Sequence, residues 1–481
     1  MCAFKNFRYM KILYIGALLF VCMLTGCQKN EGDIAKQVGS IETEESAQGA
    51  ELKAMLGVED TWDEAIEAEA RTGEKATVKI SAKVFLPSTA YMSVVQLEQD
   101  GFTQEKRQEI LETICEPGSI SNEKPLEAVK AELEQYVELI DRWQQKQSDT
   151  IETYGVRDES IDEILNNLFS EQEMLLNSMK ENKAENRQAN YKNNEFYGKI
   201  DDRWFHFYFT NGSLLAGLAN SYTRELSFPL PENQYCEYYY VRPEEAEGIE
   251  NQCRISRTEA EQIADDFLEK MGYKEYMLND CQNIRWAALD VNQRDLESYS
   301  YVNGYDSVQL GDCGWYFTYG RDVNGVAADV SDYDYITYNI ENYEAYAVGK
   351  YGVERVEVNI DNAGIFAFSI TYPYKQKAVL EQQVKLLSFA QIQDAFRSAI
   401  KNSTEPYVQT AKQVSCFDRL ELVYVRHLCD DGTYTLLPVW RLCSLRQGDV
   451  EESEGIAAVY MVNAIDGTSI DVLDELYEPA N

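Results

Sequence analysis

The sequence has few of the residues that enzymes most often use for catalysis and metal binding. Its 481 residues include two histidines, His206 and His427, which lie too far apart to form the His-Glu-x-x-His motif of zinc proteases. It also contains no Gly-x-Ser-x-Gly turn, no Cys-x-x-Cys pair and no glycine-rich nucleotide-binding loop. We therefore predict a protein that is not an enzyme and that binds no metal or cofactor.

Basic residues are scarce as well. The chain has 44 lysines and arginines against 82 aspartates and glutamates, which gives a net charge of −38. This charge repels nucleic acid phosphates and anionic lipid headgroups, so we expect no nucleic acid partner. A hydrophobic fraction of 44% is still sufficient for folded cores, which excludes a disordered polyacid.

The apolar run near the N-terminus, from Ile12 to Leu24, is too short for a membrane-spanning helix. As a helix it would extend about 20 Å, less than the roughly 30 Å of a bilayer's hydrocarbon core. Lys5, Arg8 and Lys11 precede it. A basic leader before a short apolar run is typical of an export signal, so we predict that the protein is exported.

The residues that end this run, Leu24-Thr25-Gly26-Cys27, resemble the bacterial lipobox. The resemblance implies signal cleavage after Gly26 and attachment of a diacylglyceryl lipid to Cys27. It therefore implies a lipoprotein anchored to the cell membrane and facing outside the cytoplasm, since two acyl chains give stable attachment. An ordinary secretory signal with a chance Gly-Cys sequence is the alternative.

Eight cysteines follow Cys27, scattered along the chain without the spacing of a zinc site. They are too few for a disulfide scaffold in a chain of this length, so we interpret them as small buried apolar residues. Their pairing stays open at this stage. They are Cys115, Cys236, Cys253, Cys281, Cys313, Cys416, Cys429 and Cys443.

Two apolar stripes with helical spacing follow one another in the first half of the chain. One begins at Leu126 and the other at Ile161, after the capping-box sequence Ser160-Ile-Asp-Glu163. The short gap between them predicts an antiparallel helical hairpin at about 125–180. Its apolar stripe could hold a partner helix, but packing within the protein is the interpretation we prefer.

The second half of the chain contains an internal repeat. Ser256 and Glu259 have the form of a capping box, and Ser388 and Gln391 repeat it. Aligning the two serines places every apolar position of one amphipathic helix on an apolar position of the other. Strand patterns follow both helices in the same order. The sequence therefore predicts two tandem helix-plus-sheet modules.

These patterns together predict an α+β protein with antiparallel sheets and packed helices. The predicted order is a signal peptide (1–26), a flexible acidic tether (27–75), an N-terminal α+β region with the helical hairpin (76–250), a first helix-plus-sheet module (251–380) and a second (381–481).

Two stretches of the second module carry a family resemblance. The sequences Leu437-Pro-Val-Trp440 and Tyr460-Met-Val-Asn-Ala-Ile-Asp-Gly467 resemble those of PepSY-like modules and of the related YycH and YycI regulatory proteins. The chain also looks similar, over most of its length, to uncharacterised exported lipoproteins of Gram-positive anaerobes. The resemblance implies a non-enzymatic module outside the membrane, linked in known relatives to restraining proteases or tuning a sensor kinase. The lipid anchor departs from the transmembrane helix of YycH and YycI.

Two further groups of residues are weaker site candidates. Tyr333, Tyr335 and Tyr338 offer flat apolar faces with polar ends, which suits contact with a sugar or peptide ligand. Packing within a strand is the alternative for these tyrosines. The acidic loop from Asp322 to Asp334 lacks the glycine and glutamate positions of an EF-hand, so we interpret it as a solvated loop.

The function predicted from these observations is that of a membrane-anchored, non-catalytic protein- or peptide-binding or regulatory module. A solute-binding lipoprotein for a sugar or peptide is the first alternative, and a carboxylate-dependent glycan hydrolase is the second. Ser398 and Lys401 fit the Ser-x-x-Lys pattern of penicillin-binding proteins, but the sequence lacks their Lys-Thr-Gly motif, so we interpret the match as chance.

Overall fold

The computed structural model of the protein confirms the α+β class. The part of the chain that it describes forms six helices and two large β-sheets, one mixed and one antiparallel. None of the helices in this part is long and apolar enough to cross a membrane. The described residues are 47–69, 75–181, 189–219, 225–228, 235–241, 248–289, 308–330, 354–402, 416–429, 433–443 and 459–470.

The helices are α1 (Ala47–Leu56), α2 (Gln104–Ile114), α3 (Leu126–Tyr154), α4 (Glu159–Glu181), α5 (Arg257–Met271) and α6 (Phe389–Asn402). The strands are β1 (Thr61–Glu69), β2 (Lys75–Phe85), β3 (Val94–Gln99), β4 (Glu195–Ile200), β5 (Arg203–Phe209), β6 (Ser213–Leu218), β7 (Tyr235–Val241), β8 (Tyr276–Leu289), β9 (Val308–Val323), β10 (Val326–Ala327), β11 (Arg355–Asp361), β12 (Gly364–Thr371), β13 (Tyr374–Glu381), β14 (Cys416–Leu428), β15 (Tyr434–Cys443), β16 (Val459–Asn463) and β17 (Ser469–Ile470).

The mixed sheet combines strands from both ends of the chain. Its main order is β1-β2-β14-β15-β16-β17, and β3 joins β15 to β13. The β2–β14 pair is parallel, with Ile80 opposite Phe417, while the other pairs are antiparallel. The prediction of antiparallel sheets is therefore wrong for this pair. Periodicity in one segment cannot reveal the direction of a neighbour more than 300 residues away.

The antiparallel sheet has the order β4-β5-β6-β12-β11-β9-β8-β7, with β10 paired to the end of β9. Strand β5 shows how side-chain alternation builds its core. Phe205, Phe207 and Phe209 are fully buried on one face, whereas Tyr208 between them is exposed. Helix α5 packs on this core, with Phe267 and Phe368 in edge-to-face contact at a ring-centroid distance of 4.8 Å.

The fold begins earlier than the sequence predicts. The flexible tether was predicted to extend to residue 75, but the structure shows α1 and β1 within that range. Leu52, Trp62 and Ile66 are buried in the core of the mixed sheet. Asp63 and Glu67 lie on the exposed face of β1, whereas Glu64 lies on the face of Trp62 and pairs with Arg397. The segment therefore has the composition of a tether while it forms a helix and an edge strand. The first 46 residues lie outside the described part of the chain.

The repeated helices are capped in the same way. Ser256 and Glu259 form a reciprocal capping box at the start of α5. At α6, the side-chain oxygen of Gln391 accepts hydrogen bonds from both the backbone N–H and the hydroxyl of Ser388. Each helix is followed by strands in sequence order, β8-β9-β11-β12 and β14-β15-β16-β17. The two halves thus share one topology, a capped helix and a four-stranded antiparallel meander.

The turns near the ends of the two meanders are also alike. Asp361 and Asn463 each accept a hydrogen bond, through the side chain, from the backbone N–H two residues further on. Gly364 and Gly467 then adopt φ values of 100° and 79°, where a side chain would be strained. Each strand reversal is therefore specified by an Asx turn and a glycine.

A buried polar network connects the two sheets. Arg321 of β9 donates from Nε to Glu354 at 2.9 Å, and Glu354 also accepts the backbone N–H of Tyr374 at 2.8 Å. Arg321 donates in addition to the carbonyl of Tyr374, while Arg426 donates to its hydroxyl. Tyr374 belongs to β13 of the mixed sheet. Arg321 thus links the antiparallel sheet to β13, which follows β12 along the chain and belongs to the mixed sheet.

Candidate functional site

The site residues predicted from the sequence are only partly described. Gly26 and Cys27 lie outside the described residues, and so do Tyr333, Tyr335 and Tyr338. Lipid attachment at Cys27 and ligand contact by the three tyrosines therefore stay predictions from the sequence.

The described part of the acidic loop is used for internal contacts. Asp322 accepts the backbone N–H of Gly325 at 2.6 Å, and the Asn324 amide donates to a serine hydroxyl of a neighbouring segment. Asp329 is paired with Arg441 at 2.7 Å. Throughout the described ranges no group of three or more His, Cys, Asp and Glu side chains could hold a metal ion.

The remaining sequence candidates have structural partners. His206 stacks on Tyr197 with ring centroids 4.8 Å apart, and its Nε2 lies 2.9 Å from Glu195 Oε1. Ser398 lies on the exposed face of α6, where its hydroxyl donates to the carbonyl oxygen of Asp394. Both side chains are thus held by contacts within the protein.

The most distinctive surface belongs to the helical hairpin formed by α3 and α4. With 29 and 23 residues, these helices extend about 44 and 35 Å at 1.5 Å per residue. Their extensive contacts are with each other, and the other described elements contact them only slightly. Ile140, Ile161 and Leu165 are buried between them. The hairpin is therefore an arm with its own small core.

The arm is attached to the antiparallel sheet near the start of α3. The Glu127 carboxylate accepts from the indole N–H of Trp204 at 3.0 Å and lies 3.2 Å from Lys199 Nζ. These two donors, Trp204 first, lower the pKa of Glu127. Lys124, just before the helix, pairs with Glu132. The base of the arm is thus fixed by polar contacts around the β4–β5 turn.

The far end of the hairpin is held by one buried amide. Gln147 Nε2 donates to the carbonyl oxygen of Asp158 at 2.7 Å and to Asp162 Oδ1 at 2.9 Å. Its Oε1 accepts the backbone N–H of Asp158 at 3.0 Å. Gly155 ends α3 with φ of 73°, a left-handed conformation that suits glycine. The connection between the helices is therefore fixed by specific bonds.

An ion pair completes this connection. Arg157 Nε donates to Asp162 Oδ2 at 2.8 Å, and a second guanidinium nitrogen contacts the other carboxylate oxygen. The hydrogen bonds from Arg157 and then from Gln147 lower the pKa of Asp162 to about 2. A bidentate guanidinium–carboxylate pair restricts orientation as well as distance. Asp162 is thus a fixed acceptor for both of its partners.

Exposed apolar side chains concentrate on this arm. Of the thirteen large hydrophobic residues that are exposed in the described part of the chain, eight belong to α3, α4 or their connection. Tyr154 and Val156 stand out, with 74% and 63% of their surface exposed. With Ile151, about one helical turn before Tyr154, they make up what we call the apolar tip. Clustered exposed apolar residues are typical of interaction surfaces.

A groove of about 610 Å³ runs beside the apolar tip. It combines apolar and polar groups from both helices. Its lining includes Gln144, Ser148, Ile151, Asp162, Asn166 and Phe169. The groove thus places polar acceptors beside the exposed aromatic and aliphatic side chains.

The arm carries a large excess of negative charge. Between residues 126 and 181, acidic residues outnumber basic ones by 14 to 5. An acidic surface attracts cationic partners and repels anionic ones.

Sequence reasoning identified the two helices but missed the apolar tip. The sequence feature that could have located the tip is Gly155, which ends a long amphipathic helix.

Comparison with known proteins finds matches among solved structures. No family model and no curated protein matches the chain. Among solved structures, it is similar to an uncharacterized protein from Eubacterium rectale, with 12% sequence identity and a TM-score of 0.39. The similarity covers 89% of this chain and 99% of that one.

Proposed function

We propose that this protein is a membrane-anchored extracytoplasmic lipoprotein that binds a protein or peptide without catalysis. The observation that carries the proposal is the apolar tip, which is exposed while the connection beneath it is fixed by Gln147. Apolar surface that a fold exposes on a rigid support is available for binding at little cost in conformational entropy. The lipobox-like sequence at Cys27 supports the proposed location.

The chemistry of the arm suggests the class of partner. Tyr154 and Val156 would contact apolar side chains, and the surrounding carboxylates would attract basic ones. We therefore propose a cationic, amphipathic protein segment or peptide as the partner. The excess of acidic residues also disfavours a nucleic acid or an anionic lipid surface.

A PepSY-like character for the two helix-plus-sheet units is part of the same proposal. It is supported by the shared topology of a capped helix and a four-stranded meander. It is also supported by the Pro-Val-Trp and Asn-Ala-Ile-Asp-Gly stretches of the second unit. In this arrangement the sheets would form a scaffold that presents the arm outside the membrane.

The proposal is tested by site-specific photocrosslinking on the full-length, membrane-anchored protein in its own cells. A photoreactive phenylalanine analogue replaces Tyr154 in one variant and Tyr208, an exposed tyrosine of β5, in the control. We expect a discrete crosslinked product from position 154 and none of the same mass from position 208. Adding Val156→Asp should reduce the product at least tenfold.

Two outcomes would contradict this function. Identical products from positions 154 and 208 would show that contact is unspecific, and no product at position 154 would remove the tip as a binding surface. A thermal shift with a sugar, together with no crosslink at the tip, would favour the solute-binding alternative instead. If the carboxylates of the arm attract the partner, purified protein should bind a basic amphipathic peptide more weakly as the salt concentration rises.

A further inference from the structure

Two cysteines that are far apart in sequence meet beside the antiparallel sheet. Cys253 lies in the segment before α5, and Cys313 lies in β9. That segment is held alongside β9 because Asn251 forms a parallel bridge with Asp312. The Cys253 side chain packs against the small hydrophobic cluster that contains Cys313, and the interaction between the two thiols raises the pKa of Cys253 and lowers that of Cys313. Both residues are free thiols in this structure.

Polar donors converge on the Cys313 sulfur. The backbone N–H of Ser227 lies 3.4 Å from it, and the side-chain amide of Asn362 lies 3.6 Å from it. The hydrogen bond from Cys253, followed by those from Ser227, lowers the pKa of Cys313 to about 6 although burial opposes this. The pKa of Cys253 is raised because its proton is held in the bond to Cys313 and because it is half-buried.

Other thiols in the described ranges have a different environment. Burial raises the pKa of Cys115, Cys281 and Cys443 to about 12. A buried thiol with a raised pKa is inert, whereas a thiolate stabilised by donors reacts with disulfides. Cys253 is half-buried and Cys313 fully buried, so a reagent reaches Cys253 first. The pair therefore combines an accessible sulfur with an adjacent thiolate.

We propose that Cys253 and Cys313 form a reversible disulfide, made by exchange with a disulfide-bearing redox partner. This inference is independent of the proposed binding function, because it concerns the sheet and not the arm. The bond would tie the segment that leads into α5 to β9. It would close a loop that contains α5 and β8, and so would restrict the unfolded chain over that whole stretch.

The exchange balances with one oxidant disulfide. Cys313 takes the Cys253 proton, the resulting Cys253 thiolate bonds to one sulfur of the oxidant, and the first oxidant thiolate that is released takes the proton from Cys313. The Cys313 thiolate then attacks the Cys253 sulfur, and the second oxidant thiolate leaves as the internal bond forms. The pair loses two electrons and one proton, and the oxidant gains two electrons to give one thiol and one thiolate.

The test uses the full chain equilibrated in mixtures of reduced and oxidised glutathione, followed by alkylation and peptide mapping. We expect a linked peptide pair containing Cys253 and Cys313 that appears with oxidation and disappears with reduction. Oxidation should also raise the melting temperature. Cys281→Ser should keep both effects, and Cys313→Ser should lose both.

Two results would overturn the proposal. One is full alkylation of both Cys253 and Cys313 after equilibration with oxidised glutathione. The other is a glutathione adduct on Cys253 that never resolves into the internal link. Mapping of the unmutated chain decides the question even if Cys313→Ser fails to fold.

Discussion

Gln147 bonds the backbone of Asp158 through both ends of its side-chain amide, across the connection between α3 and α4. The carbonyl oxygen accepts at 3.0 Å and the amino group donates at 2.7 Å. A single side chain thus bonds both the N–H and the carbonyl oxygen of one residue in the connection. This relationship fixes the position of the apolar tip and makes the tip testable separately from the sheets.

Gln147→Ala should loosen the end of the hairpin without unfolding the sheets. The substitution removes three partly buried hydrogen bonds, two to the backbone of Asp158 and one to the Asp162 carboxylate, so we expect a local cost of about 2 kcal/mol. Hydrogen exchange should accelerate in residues 147–162 and stay unchanged in β5. Gln145→Ala, at an exposed position with a single side-chain bond to Asp149, is the matched control. Equal acceleration in both variants would show that Gln147 has no special role.

The hairpin connection should be stable at mildly acidic pH and weaken only under strongly acidic conditions. The pKa of Asp162 is lowered from 3.8 to about 2 in the folded protein. A lowered carboxylate pKa stabilises the fold above the unfolded pKa, and this contribution is lost as pH falls from about 4 towards 2. Carboxyl-carbon NMR should show Asp162 titrating near pH 2, and Arg157→Ala should move the titration towards 3.8. An unchanged titration in that variant would contradict the assigned cause.

Glu354→Gln should be among the most destabilising single substitutions in the described structure. It removes the charge that Arg321 pairs with in a buried site. Breaking a buried ion pair by neutralising one partner lowers the free energy of unfolding by about 3 to 5 kcal/mol. Lys274→Gln, which breaks an exposed pair with Glu269, should change it little. Urea denaturation of both variants measures the free energy of unfolding. Equal decreases in the two variants would show that burial does not make the Arg321–Glu354 pair more important than the exposed one.

Cys27→Ala should release the protein from the membrane. The lipobox-like sequence predicts that the only anchor is the lipid on this cysteine, so the variant should be recovered from the medium. Fractionation of cells and medium with an antibody against the folded domain measures the effect. Cys22→Ala, within the predicted signal and before the cleavage site, should leave the protein attached. Retention of the Cys27 variant in the membrane fraction would contradict the predicted anchor.

The features that sequence predicted well are local ones. The capping boxes at Ser256 and Ser388 involve residues three positions apart, so their pattern is visible in the sequence. The two stripes of the hairpin are visible for the same reason. The structure adds what depends on distant pairing, such as the contact of Cys253 with Cys313. It also shows Trp62 in an ordered strand that has the acidic composition of a linker.

The parallel pairing of β2 with β14 has a consequence for the order in which the two sheets can be completed. Strand β2 follows β1 near the start of the chain, but its second neighbour begins only at Cys416. All strands of the antiparallel sheet lie between residues 195 and 371, so this sheet can be completed before the chain reaches that point. Strand β2 can therefore pair with β1 early, but its other edge stays open until β14 is available. That open edge carries the exposed side chains of Lys79 and Lys83, and charged residues of this kind, lysine above all, protect an unpaired strand edge against pairing with another chain.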